Sequence, residues 1–249
     1  MDHLHQLHPI EAIPPSRAQK LLKAITSYYA VALAIAVSCA WLFGWLADEV
    51  LEHEFISLNT SILLAIHAHR SPVLDELAIT ITNVGSPIGI AVIGVLLTAS
   101  LLLMKRYVDL GTFAVILIGA AILVFSFKLL FHQVRPRVFE PLVPEGDFSF
   151  PSGHSLTSFA VWGFFAWWIV SLDARAVWRW ILGALGLVIS MLVALSRLYI
   201  GVHWPTDVLA GMLLAFSWIG VCVTGQRWLT RHARRERRKQ LHHHTLRRS

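Results

Sequence analysis

Six stretches free of Asp, Glu, Lys and Arg recur along the chain, at 24–47, 87–104, 110–127, 155–172, 180–196 and 208–226, each 17 to 24 residues long. About 17–25 apolar residues are what a helix needs to cross the hydrocarbon of a bilayer. Inside hydrocarbon every backbone N–H and C=O must be paired within the protein, which leaves only helices and closed barrels. A barrel would show alternating segments of about ten residues, and these stretches are continuously apolar instead. The predicted fold is therefore all-α, an integral membrane bundle of six transmembrane helices. Composition agrees: 56% of residues are hydrophobic and 14% charged, against roughly 25% charged in soluble domains. Soluble, disordered, coiled-coil, collagen-like and disulfide-scaffold classes are excluded by the same figures. Cys39 and Cys222 both lie in apolar runs and imply neither a disulfide framework nor a metal cluster.

The net charge of +6 is carried by one end of the chain. Residues 227–249 hold nine Lys and Arg with one Glu, while the rest holds 12 basic and 14 acidic residues. A basic tail beside an apolar span sets cytoplasmic orientation and meets anionic lipid heads. It lacks the interleaved aromatics of a nucleic-acid module, so no nucleic-acid partner is expected. With both termini cytoplasmic, 16 of the 21 Lys and Arg lie inside and five outside, as the positive-inside rule requires. The chain divides into a cytoplasmic N-terminal segment (1–20), a six-helix membrane domain (21–226) and the basic cytoplasmic tail (227–249). Residues 48–86 are too long for a tight turn. Ile62, Leu63 and Ile66 form a short helical stripe there, ending at His67, His69 and Arg70 before Ser71-Pro72. This predicts an amphipathic helix on the outer surface. The start of the chain lacks the basic region and cleavage site of a signal peptide, and a bacterial plasma membrane is the expected setting.

Four of the five outer cations sit where topology disfavours them: Lys128 at the end of the third apolar run, Arg135 before Pro136, Arg197 at the end of the fifth run, and Arg70. Snorkelling explains single cases, but ionisable groups at membrane depth point to a functional site. Pro151-Ser152-Gly153-His154 opens the fourth span. Ser152 is a suitable N-cap, and the free N–H groups at a helix start bind anions. His203 precedes Trp204-Pro205, and Asp207 follows it by four residues, one helical turn. Such a carboxylate fixes the imidazole tautomer and frees the other nitrogen as base or nucleophile. A capping Asp with a solvent-facing His is the plainer alternative. Metal binding by His154, His203 and Asp207 is another, opposed by the surrounding cations. With alternating helices, Lys128, Arg135, Ser152, His154, Arg197, His203 and Asp207 all fall at the outer ends. Cations and two histidines converging on one rim fit an anionic substrate and acid–base chemistry. An anion transporter would need polar groups near mid-membrane, and the span centres are nearly uncharged.

Lys128-x6-Arg135-Pro136, Pro151-Ser152-Gly153-His154 and Ser196-Arg197-x5-His203-x3-Asp207 together resemble the three-part signature of the type 2 phosphatidic acid phosphatase family. The resemblance covers residues 50–226. It implies a metal-independent, cofactor-free lipid phosphatase, with lipid phosphotransfer as the alternative activity. It implies roles as well: His203 as nucleophile forming a phosphohistidine, Asp207 as its orienting partner, His154 as acid and then base. Lys128, Arg135, Ser152, Gly153 and Arg197 would bind the phosphate. The partner is a lipid phosphate in the bilayer, and candidate substrates are undecaprenyl pyrophosphate, phosphatidic acid and phosphatidylglycerophosphate.

Overall fold

The computed structural model describes residues 17–173 and 175–246. Residues 1–16, most of the predicted N-terminal segment, lie outside them. Among the described residues the chain forms eight helices: α1 Arg17–Leu51, α2 Ile56–His67, α3 Pro72–Val84, α4 Pro87–Leu103, α5 Tyr107–Phe131, α6 Gly153–Leu172, α7 Val177–Ile200 and α8 Pro205–Leu246. Five hold stretches long and apolar enough to cross a membrane: Ala30–Leu51, Tyr107–Phe131, Gly153–Leu172, Val177–Ile200 and Pro205–Ala233. A sixth is reached only by taking α3 and α4, bent by 48° at the break between them, as one span. At 1.5 Å per residue the 17 residues of α4 reach only about 26 Å, short of the roughly 30 Å hydrocarbon core.

Here the structure adds to what the sequence predicted. Residues 48–86 hold two helices where one was expected. Ser71-Pro72 ends one pattern but also starts the next. The Ser71 side chain accepts from the Leu74 N–H at 3.3 Å, and Pro72 occupies the first helical turn. Ser86-Pro87 repeats the device, with Ser86 Oγ accepting from the Gly89 N–H at 3.1 Å. Pro is preorganised for the first turn of a helix, and each Ser cap is worth about 1 kcal/mol. The predicted outer helix is α2. It buries Leu63 and Asn59 against the bundle, with Asn59 Nδ2 donating to Thr206 Oγ1 at 3.1 Å, and leaves Ile56, Leu58 and Leu64 exposed. The side of α2 turned away from the bundle is thus apolar too. At the other end, α8 runs unbroken past residue 226 to Leu246.

The core is built around α6, which packs against α5, α7 and α8 and buries Leu156, Phe159, Ala160, Val161 and Phe164 completely or nearly so. Exposed apolar side chains ring the bundle, among them Trp41, Val95, Leu103, Phe125 and Ile181. In water so broad an apolar belt would aggregate, and a bilayer covers it. Two glycines set the geometry that matters below. Gly211 on α8 lies so close to the start of α6 that a Cβ would stand 2.7 Å from the Ser152 carbonyl oxygen. Small residues let helix backbones approach in this way. Gly201 ends α7 in the left-handed region at φ +89°, a conformation that costs Gly nothing, and it turns the chain toward His203.

Candidate active site

Four helix ends and one irregular segment meet at the end of the bundle opposite the basic tail. Lys128 stands in the last turn of α5 and Arg197 in the last turn of α7. His154 stands in the first turn of α6 and Asp207 in the first turn of α8. Residues 132–152 run without helix between α5 and α6 and carry Arg135. This segment is pinned along its length. The Ser149 N–H donates to the Gln133 carbonyl at 2.8 Å, the Leu142 N–H to the Ile200 carbonyl at 3.0 Å, and the Ser152 N–H to the Asp207 carbonyl at 3.0 Å. Phe139 stacks on His67 with ring centroids 4.1 Å apart and packs over Gly201. The start of α3 is tied to α7 through Tyr199, whose hydroxyl accepts from the Ser71 N–H at 3.2 Å and donates to Asp75 at 2.8 Å.

His203 is buried, and its Nδ1 lies 3.2 Å from Asp207 Oδ2. Its Nε2 lies 3.3 Å from Nη1 of Arg135. A guanidinium has no acceptor, so Nε2 must present its lone pair and Nδ1 must carry the proton. Both contacts assign the same tautomer. Asp207 is fully buried, and its Oδ2 also accepts from the Trp204 N–H at 2.8 Å and from the Ser149 hydroxyl. One oxygen of Asp207 thus meets both the Trp204 N–H at the start of α8 and the His203 ring, and His203 does not face solvent. Burial first, and then the positive charges of Arg135, Arg197 and Lys128, push the His203 imidazole well below its ordinary value of 6.5. A neutral imidazole therefore persists into acid. If His203 is the nucleophile, the rate of attack in single turnovers should hold its plateau to below pH 6.5. Arg135→Ala removes a repelling cation and should shift that acid limb upward, which a pH series on the variant measures.

The three cations are held firmly. Arg197 is 1% exposed, and its Nη1 donates to Thr82 Oγ1 on α3 at 2.8 Å. Its Nε is buried without a protein partner, a donor aimed at nothing the protein supplies. Arg135 Nη1 donates to the Val202 carbonyl at 2.7 Å, and Lys128 Nζ to the Phe148 carbonyl at 2.6 Å. Two acids that sequence reasoning missed lie among them. Glu145 pairs with Arg135 at 2.7 Å and with Arg197, and Asp147 pairs with Lys128 and Arg135. Although burial opposes it, hydrogen bonds from Lys128 and Arg135 hold the Asp147 carboxyl below its ordinary 3.8, so it is ionised. Neither acid had periodicity or a motif to reveal it. Ser149 and Thr82 were likewise invisible.

His154, His203, Gly153 and Lys128 share one cleft of about 600 Å³ with Glu145 and Asp147. Apolar side chains complete its lining, Ile90 of α4 and Ala121, Val124 and Phe125 of α5. Ser152 stands behind this wall, fully buried. It caps α6, its Oγ accepting from the Ser155 N–H at 3.4 Å and the Ser155 hydroxyl at 3.0 Å. The structure thus gathers all the predicted residues at one end, with Ser152 in the supporting layer. Among the described residues, no three His, Cys, Asp or Glu side chains form a metal-ligating group.

Residues 109–231, which include every one of these predicted residues, match the sequence model of the PAP2 superfamily. The chain is 32% identical over 180 residues to phosphatidylglycerophosphatase B of Bacillus subtilis, covering 72% of this chain and 88% of that protein. It is 34% identical over 176 residues to an undecaprenyl-diphosphatase of Sulfolobus acidocaldarius, covering 66% of this chain and 76% of that one. The crystal structure of a transmembrane PAP2-type phosphatidylglycerolphosphate phosphatase from Bacillus subtilis superposes with a TM-score of 0.72 at 29% identity, over 77% of this chain and 96% of that one. Aquifex aeolicus LpxE shares the fold, with a TM-score of 0.56. The chain therefore belongs to the PAP2 superfamily, and it is one of that family's membrane lipid phosphatases.

Proposed function

We propose that the protein removes phosphate from a lipid monophosphate or diphosphate at the outer face of a bacterial plasma membrane, through a phosphohistidine on His203. The observation that carries this is the cleft itself. Its lining joins two histidines and a cation to apolar side chains of α4 and α5. A lipid phosphate matches that polarity, its chains remaining in the bilayer while its headgroup slides inward. The relatives act on phosphatidylglycerophosphate and undecaprenyl diphosphate by name, and both kinds of substrate fit this shape. The face follows from charge: α8 starts at the site and ends in the basic tail, which the positive-inside rule keeps cytoplasmic.

The steps follow from the residues. His203 Nε2 attacks phosphorus in line, and the bond from phosphorus to the lipid ester oxygen, or in a diphosphate to the bridging oxygen, breaks. His154 gives that oxygen its proton. Asp207 holds the imidazole ring and stabilises its positive charge. Water, losing a proton to His154, then attacks the phosphoimidazole, and inorganic phosphate leaves with His203 restored. Arg197 Nε, Lys128 and Arg135 take the phosphate oxygens, with the Gly153 N–H at the positive end of the α6 dipole. Positioning and charge supply most of the acceleration. No protein group in this sequence of steps requires a metal. Purified protein in detergent with EDTA should release phosphate from at least one of undecaprenyl diphosphate, phosphatidylglycerophosphate and phosphatidic acid. Activity that EDTA removes, or release only from a soluble ester, would contradict the proposal.

A further inference from the structure

The acids Glu145 and Asp147 stand where the substrate phosphate is to be held. Between them they pair with Lys128, Arg135 and Arg197, so all three cations are already matched. Neither acid is needed to keep its segment in place, since backbone hydrogen bonds from Ser149, Leu142 and Ser152 anchor it on both sides. Between the two acids lies Gly146, with open space around its Cα. The Asp147 side chain is 58% exposed. Beyond them a second cleft of about 700 Å³, lined by Glu145, Gly146 and Asp147 as well as Arg135 and Arg137, gives the carboxylates room to withdraw.

We propose that Glu145 and Asp147 are specificity-determining residues: a resident dianion on the phosphate-binding cations, displaced only by a phosphate group of two or more negative charges. Phosphomonoesters and diphosphates enter, and the phosphodiester lipids that fill the bilayer around the cleft do not. This rests on the assignment of Lys128, Arg135 and Arg197 to phosphate binding.

Charge count decides the selection. The three cations carry three positive charges and the two carboxylates two negative ones. A phosphomonoester carries about −1.5 to −2 near neutral pH, so exchanging it for the carboxylates preserves the balance. A phosphodiester carries one negative charge. Its exchange leaves an extra positive charge unmatched around Arg197, which is 1% exposed, and uncompensated charge at a buried site is strongly unfavourable. Competition of this kind rejects the wrong ligand without any added contact to the right one. The opposite role, in which the acids stay to brace the cations around a bound phosphate, predicts effects of opposite sign.

Glu145→Gln, Asp147→Asn and the double variant separate the two. Binding of inorganic phosphate to purified protein in detergent should tighten about tenfold or more in each single variant, the equivalent of about 1.4 kcal/mol. Phosphatidylglycerol in mixed micelles should leave hydrolysis by the native protein unchanged and should inhibit the double variant competitively. Unchanged or weaker phosphate binding, or a double variant that phosphatidylglycerol still leaves uninhibited, overturns the proposal. The exposed Asp147 makes Asp147→Asn decisive even where Glu145→Gln does not fold. Arg197→Ala is the control for the assignment beneath it. Native-like phosphate binding in Arg197→Ala removes that assignment and the proposal with it. Loss of binding there, with no tightening in Glu145→Gln or Asp147→Asn, overturns the proposal alone.

Discussion

Replacing His203 with Ala should lower turnover by about 10⁴-fold or more while the protein stays folded, because the proposed mechanism then loses its nucleophile rather than a contact to it. His203 is buried with its Nε2 facing Arg135 and its Nδ1 facing Asp207, so no other imidazole in the cleft can take over its geometry. Steady-state release of phosphate from a lipid phosphate, together with thermal unfolding in detergent, measures the two effects separately. Asp207→Asn should lose less, because the amide keeps a contact to Nδ1 while weakening its hold on the tautomer. Equal losses from both substitutions would mean that Asp207 does more than orient.

His154→Ala should cost about 10² to 10⁴-fold in turnover of a lipid substrate, the usual worth of a general acid and base. The informative part is how the loss divides between steps. His154 lines the cleft beside His203 and is assigned both the proton to the leaving oxygen and the activation of water. An aryl phosphate, whose leaving group needs no proton, bypasses the first task. With that substrate the variant should show a burst of about one equivalent of aryl alcohol and then a slow steady state. A variant equally slow on both substrates, with no burst, would confine His154 to binding.

The groups at helix ends were legible in the sequence because apolar length alone fixes which end of each span faces which side. Lys128, Arg135, His154, Arg197, His203 and Asp207 could be placed on one rim from spacing and alternation, and the structure gathers them there. What periodicity could not reach was the irregular segment 132–152. Glu145 and Asp147 act through pairing with Arg135, Arg197 and Lys128, and such long-range partners leave no local pattern. Ser149 reaches Asp207 across 58 residues of sequence in the same way. The missing helix α3 had a readable signal. Ser71-Pro72, taken as a breaker, is equally a cap followed by a first-turn proline. Asp75 and Glu76 interrupt its apolar run, which hid it from a search for spans, yet Thr82 on that helix holds Arg197 in place.

The covalent intermediate on His203 is the most direct test of the proposed mechanism. Protein incubated briefly with a ³²P-labelled lipid phosphate and quenched in base should carry label that is stable to alkali, labile to acid and mapped to His203. The label should be missing from His203→Ala and, with a ³²P-labelled aryl phosphate as donor, should accumulate in His154→Ala. Phosphate release by the native protein with no trapped label at any quench time, or label on another residue, would contradict it.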